Sequence, residues 1–175
     1  MSERNRDYYL RLRRRYEPAN AKLIIVAESP PASGKYFYDP AGSTKEPLFS
    51  AIMKQIGQSP PTKESGLRDL QQKGWLLIDA TYQSVDKLVK GTRHTRDEII
   101  ARDYSLLLED LQALTPDRSV PLVLIKSNVC RALNPLLSSD GFNVVNRGET
   151  ICFPSNGWQN QFKEQFAAVL CELAP

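Results

Sequence analysis

The 175-residue chain has a single histidine, His94, so a histidine-based catalytic triad would rest on that one residue. It has three cysteines, Cys130, Cys152 and Cys171, an odd number with no Cys-x-x-Cys spacing. That pattern argues against a disulfide framework, a structural zinc and a four-cysteine iron–sulfur cluster, so no metal and no cofactor are expected. No apolar run approaches the ~20 residues that cross a bilayer, and no membrane partner is expected. The opening MSERNRDYYLRLRRRYEP lacks the apolar stretch of a secretory signal. Reduced thiols in a cytoplasmic protein follow as the expectation. The 9 glycines and 12 prolines are spread along the chain, which excludes collagen-like and low-complexity readings. What is present fits one globular domain over residues 1–175: 41% hydrophobic, 25% charged, no repeat and no linker. A monomer is expected.

The charge is unevenly placed. Arg4, Arg6, Arg11, Arg13, Arg14 and Arg15 against Glu3, Asp7 and Glu17 leave +3 in residues 1–17, equal to the formal charge of the whole chain. Arginines interleaved with Tyr8, Tyr9 and Tyr16 suit phosphate and base contacts. The same residues also read as a solvated helix face that packs its tyrosines on the domain.

After this basic helix, Ala21–Ala27 is an almost wholly apolar, β-branched run, as expected of a strand buried on both faces of a parallel sheet. Glu28-Ser29-Pro30-Pro31 ends it, because proline cannot continue the ladder. A polar and aromatic loop leads to the amphipathic LFSAIMKQIG, then to a second helical stretch and a second buried strand, Trp75–Ala80. Thr95-Arg96-Asp97-Glu98 reads as a capping box opening a helix that reaches about Leu114. Val120–Ile125 is the third strand, followed by a helix interrupted around Pro135. Phe142–Val145 and Thr150–Phe153 supply a strand pair or a strand with its lead-in, and Trp158–Leu173 a closing helix. The alternation predicts an α/β fold, a three-layer αβα sandwich around a mostly parallel four-stranded sheet. Ligands in such folds bind beyond the carboxyl ends of the strands. That selects Glu28 to Pro31, Asp79 and the loop after it, Lys126-Ser127-Asn128, and Phe153-Pro154-Ser155-Asn156.

Each candidate has a plainer alternative. Glu28 follows an apolar strand, where a carboxylate is costly to bury unless paired or used. It reads as a group that orients or deprotonates a water, or, more plainly, as a salt-bridge partner or a helix N-cap contact. Asp79 suits ligand hydrogen bonds and, equally, a structural turn. Tyr36, Phe37 and Tyr38 form either a stacking platform for a planar ligand or the loop's own small core. His94, with Arg93 and Arg96 beside it, stands before a helix where a phosphate contact would fit, or on a plain surface. Lys126 is an anion contact or a snorkelling surface lysine.

The order of these elements resembles the uracil-DNA glycosylase superfamily, closest to the branch whose first motif reads Gly-Glu-Ala-Pro-Gly and which usually carries an iron–sulfur cluster. Ala27-Glu28-Ser29-Pro30-Pro31 keeps that motif's carboxylate and first proline and loses both glycines. Asp79 stands where the branch has Asn, and Thr92-Arg93-His94-Thr95-Arg96-Asp97-Glu98-Ile99 is similar to its Asn-Arg-x-Pro-Thr-like stretch and Glu-Ile helix. Ile125-Lys126-Ser127-Asn128 is a looser counterpart of its Leu-Gly motif, and Phe153-Pro154-Ser155 of its final His-Pro-Ser. The resemblance spans roughly residues 21–173.

The resemblance implies an N-glycosidase that flips a base out of DNA. By residue it implies that Glu28 positions the attacking water or stabilises the oxocarbenium-like transition state. Phe37 or Tyr38 would stack on the base and Asp79 would read its edge. Ser29, Lys126, Ser127, Ser155, Asn156, Arg93 and Arg96 would hold phosphates, with Trp158 or a neighbour as the wedge. Phe153 cannot donate the hydrogen bond of the family's histidine, a loss of roughly two to three decades in rate. An acceptor-only Asp79 suits an exocyclic amine or ring N–H better than uracil O4. The cluster-ligand cysteines are absent, so no iron–sulfur site carries over. A DNA-processing enzyme with altered base choice is therefore expected. The alternatives are a catalytically inactive module binding nucleic acid, nucleotide or protein, and an α/β enzyme acting on free nucleosides or nucleotides.

Overall fold

The computed structural model describes residues 5–86, 88 and 93–173, and the side chains of 93 and 94 are outside the description. In chain order the elements are α1 (Arg6–Arg14), β1 (Leu23–Ala27), α2 (Pro47–Gln55), α3 (Lys63–Lys73) and β2 (Trp75–Asp79). There follow α4 (Arg93–Arg102), α5 (Tyr104–Leu114), β3 (Leu122–Leu124), α6 (Ser127–Ser139) and α7 (Gln159–Leu173). The three strands form one open parallel sheet in the order β2-β1-β3. Every residue of each strand is buried, as the unbroken apolar runs require when both faces of a sheet are covered. Register pairs Ala27 with Asp79 and Val26 with Leu124, so β1 and β2 end level.

The expected fourth strand is reduced to one parallel bridge between Leu122 and Val144 among the described residues. Asn146 explains the truncation. Its side-chain amide accepts from Leu124 N–H at 2.7 Å and donates to Leu124 O at 2.9 Å, taking the place of a strand backbone on the free edge of β3. Arg147 and Gly148, at φ 49° and 86°, then turn the chain off the sheet, and Thr150–Phe153 forms no strand. A short edge closed by a side chain leaves no ladder for another chain to extend.

Helix boundaries depart from the sequence reading in two places. Residues 93–114 are two helices, not one, and Thr95 lies inside α4 instead of capping it. Asp103 occupies the break, where its carboxylate accepts from Thr81 Oγ1 at 2.6 Å and Arg102 Nε at 2.8 Å, tying the helix junction to the loop after β2. Conversely α6 runs unbroken through Pro135. Its buried Val129, Leu133 and Leu137 outweigh the one hydrogen bond that proline removes.

α1 does not present its whole basic face to solvent. Arg13 is 2% exposed, paired to both oxygens of Asp110 at 2.6 and 2.7 Å and to Glu17 and the Tyr82 hydroxyl at 2.9 Å each. Burial alone would lower its pKa, but the bidentate carboxylate carries it above the ordinary value. Tyr9 and Tyr16 are core residues, which leaves Arg11, Arg14 and Arg15 as the exposed cations of this segment among the described residues. α3 begins in a reciprocal Thr62–Ser65 capping box. At Gly66 a Cβ would stand 2.7 Å from both Phe49 Cζ and Pro60 Cγ, so only glycine lets α3 seat against the ring of Phe49. Among the described residues, no helix is long and apolar enough to cross a membrane.

Candidate functional site

At the carboxyl end of the sheet lies a cleft of about 370 Å³, within the size range of small-ligand sites. The tips of all three strands reach it: Glu28 after β1, Asp79 at the end of β2, and Lys126 after β3. The loop from Ser29 to Phe37 and the start of α2 form one wall, Phe153 another. Ile125, Leu77 and Ala27 make the floor apolar. The structure thus brings together Glu28, Ser29, Phe37, Asp79 and Lys126 of the expected site residues.

Glu28 is 8% exposed and tightly held. Oε2 accepts from Lys126 Nζ and Oε1 from Asn128 Nδ2 at 2.5 Å, with Arg96 Nη1 3.6 Å from Oε1. The salt-bridge alternative is therefore true of this residue, in a cleft rather than in place of one. Lys126 is an anion partner, not a snorkelling lysine. Its backbone stands at φ 86° and ψ 136°, a region that glycine enters freely and a side-chain-bearing residue enters at a cost of about 1–3 kcal/mol. Here the strained residue carries an ammonium to Glu28, and its own N–H is anchored on Ile151 O at 2.7 Å.

Asp79 is 4% exposed, and its Oδ2 has no hydrogen-bond partner. Burial pushes its pKa up to about 7, against the opposing charge of Arg13. The Tyr36 hydroxyl stands near enough to lower it as well, although neither Tyr36 Oη nor Asp79 Oδ2 makes a hydrogen bond of regular geometry. Burial likewise raises the Tyr36 pKa well above that of a free phenol, so the hydroxyl stays protonated.

The aromatic loop divides between its two readings. Phe37 and Tyr36 line the cleft, but Tyr38 does not. Tyr38 is 1% exposed, with its hydroxyl donating to Leu77 O and accepting from Leu77 N–H at 2.8 Å each, which makes it the pin that fixes the loop to β2. A buried Lys63 completes the wall. It donates to Tyr36 O at 2.7 Å and to Glu46 at 2.5 Å, and Glu46 lines the cleft.

The remaining candidates lie elsewhere. Ser127, Ser155, Asn156 and Trp158 are exposed and outside the cleft lining, Trp158 being 50% exposed. Arg96 reaches the site through Glu28, and the side chain of Arg93 lies outside the described residues. Among the described residues no three His, Cys, Asp or Glu side chains converge as metal ligands. Cys130 is buried with its thiol on Leu124 O, while Cys171 is exposed, so these thiols do not fit an iron–sulfur cluster. Sequence reasoning placed Asn128 at a strand end without giving it a role, and missed Glu46, Lys63 and Phe49. For Asn128 the signal was its place, an amide at the start of a helix directly after a strand. Comparison with protein-family models, curated proteins and solved structures finds no match.

Proposed function

We propose that the chain is a divergent N-glycosylase of the uracil-DNA glycosylase type, a three-layer αβα domain acting as a cytoplasmic monomer on a base flipped out of DNA. The observation that carries this reading is the cleft itself: a fixed carboxylate, a flat aromatic wall and an unspent polar edge in one hollow at the ends of three parallel strands. Phe37 stacks on the base and Asp79 meets its edge. Glu28, oriented by Asn128, takes a proton from a water whose oxygen attacks the sugar C1′. The C1′–N bond breaks, its electron pair leaves with the base, and a proton returns to the base. Lys126 lines the same cleft and supplies positive charge where the departing base gathers negative charge, the task for which Phe153 has no donor. Arg11, Arg14 and Arg15 on and after α1 are available to phosphates.

The test is incubation with single- and double-stranded oligonucleotides bearing uracil, hypoxanthine, xanthine or alkylated bases. Abasic product is expected from at least one, falling on the order of 10²–10⁴-fold in Glu28→Gln. No abasic product from any of them at high enzyme concentration would overturn the enzymatic claim. One observation favours a second reading, a non-catalytic base-binding module: Lys126 and Asn128 each occupy an oxygen of Glu28. Under that reading the oligonucleotides bind without being cleaved, and Glu28→Gln binds as well as the wild type.

A further inference from the structure

Lys63 on α3 is 1% exposed, a buried ammonium behind the wall of the cleft that the chemistry above does not use. Its Nζ donates to Tyr36 O at 2.7 Å and to Glu46 Oε2 at 2.5 Å, and stands 5.6 Å from the centre of the Phe49 ring. These partners belong to the two segments that make the wall: Tyr36 and Phe37 in the loop after β1, and Glu46 to Phe49 at the start of α2. No described residue of α3 lines the cleft. The ammonium thus ties both wall segments to a helix at their back. Tyr36 O belongs to the peptide plane that leads into Phe37, so holding that carbonyl sets the plane from which the Phe37 ring projects. On the other side of Phe37, the Tyr38 hydroxyl is pinned to Leu77. The ring therefore stands between two anchored neighbours, and it meets Phe49 with centroids 5.6 Å apart. Gly42 closes the arrangement from outside: a Cβ there would stand 2.6 Å from Glu46 Oε1 and 2.8 Å from Lys63 Nζ.

We propose that Lys63 is a positioning residue for the cleft: through Tyr36 O and Glu46 it fixes the aromatic wall, and with it the pose of a planar ring stacked on Phe37. This rests on the base-binding reading above and adds to it a residue that touches no ligand. A buried ion pair is by itself weak evidence of stability, because apolar side chains of similar volume often fill such a position as well or better. What the ammonium has that they lack is hydrogen bonds, which fix the direction as well as the distance of the groups that accept them. Removing it therefore loosens the wall more than it weakens the domain. The sheet and Glu28 stay where they are, since neither touches Lys63.

The experiment compares the full chain with Lys63→Met, which removes the ammonium, and with Gly42→Ala, which keeps every charged group and forces the pair apart with one methyl. Hydrogen exchange reads the wall at the amides of Asp39, Gly42 and Ser43, whose acceptors are Tyr36 O, Asp39 O and Glu46 Oε1. Affinity reads the pose, for short oligonucleotides bearing uracil, cytosine, hypoxanthine or adenine at one position, with abasic neighbours and a 2′-fluoro sugar that blocks cleavage. In both variants exchange at those amides should speed up roughly tenfold or more while β1 and β2 keep their protection. Affinity for the base that the wild type holds best should fall roughly five- to a hundredfold in Lys63→Met, the span of one base–aromatic stack, and less in Gly42→Ala. Affinity for a wholly abasic oligonucleotide should not change. If Lys63→Met does not fold, Gly42→Ala decides among the same outcomes. Unchanged exchange, loosened amides with base affinity kept, or base and abasic affinities falling together would overturn the proposal while base binding stands. If no base-bearing oligonucleotide binds the wild type better than the abasic one, the base-binding reading falls, and this role of Lys63 with it.

Discussion

Two carboxylates stand at the ends of neighbouring strands and have opposite circumstances. Glu28 follows Ala27, and Ala27 is in register with Asp79, so the two acids are close in chain geometry. Glu28 is bracketed by a lysine, an amide and an arginine, whereas Asp79 has an orphaned oxygen and a cation that belongs to Asp110. The first is built to be held still and the second to be completed. A site that must place one group against a reacting bond and leave another free to meet a ligand needs both.

The contrast can be broken from either side. The largest effect is expected at Arg13, which backs the Asp79 corner. Arg13→Met empties a buried position and leaves the part-buried Asp110 without its guanidinium, and should cost about 3–4 kcal/mol, measured by denaturant unfolding. Next comes Asp79→Asn. In the wild type the folded state holds a proton on Asp79 more tightly than the unfolded chain does, so it binds more protons between about pH 4 and 7. Stability from this group is complete below that window and is lost as pH rises through it. The window from pH 5 to pH 7 is worth at most about 3 kcal/mol, and the asparagine variant should gain on the wild type by up to that much over the same range. A thermal-unfolding series across pH checks it. On the other side, Lys126→Ala should cost about 1–2 kcal/mol, since it unpairs part of Glu28 at a half-buried site. Lys126→Gly should be about 1 kcal/mol more stable than Lys126→Ala, because glycine relieves the backbone at φ 86°. Equal stability of those two variants would contradict the strain assigned to this residue.

How much of this could be read from the chain follows from the range of the interactions. The strands were legible because a run such as Leu23–Ala27 is apolar throughout, and burial on both faces leaves a local mark. Glu28, Asp79 and Lys126 were legible for the complementary reason, as polar residues where an apolar run stops. Arg13 was not, since nothing near it shows that Asp110, 97 residues on, will draw it into the core. Tyr38 was indistinguishable from Phe37 until the backbone of Leu77 claimed its hydroxyl. The missing fourth strand depended on one amide, Asn146, standing in for a backbone edge, which no periodicity signals.

The most direct test asks whether a base enters the cleft at all. Irradiation of the chain with an oligonucleotide carrying one 5-iodouracil, followed by mapping of the crosslinked residue, is expected to give an adduct on Phe37, Tyr36 or Phe153. Adducts confined to the tyrosines and arginines of α1, with the cleft aromatics unmodified, would contradict base binding between Glu28 and Asp79.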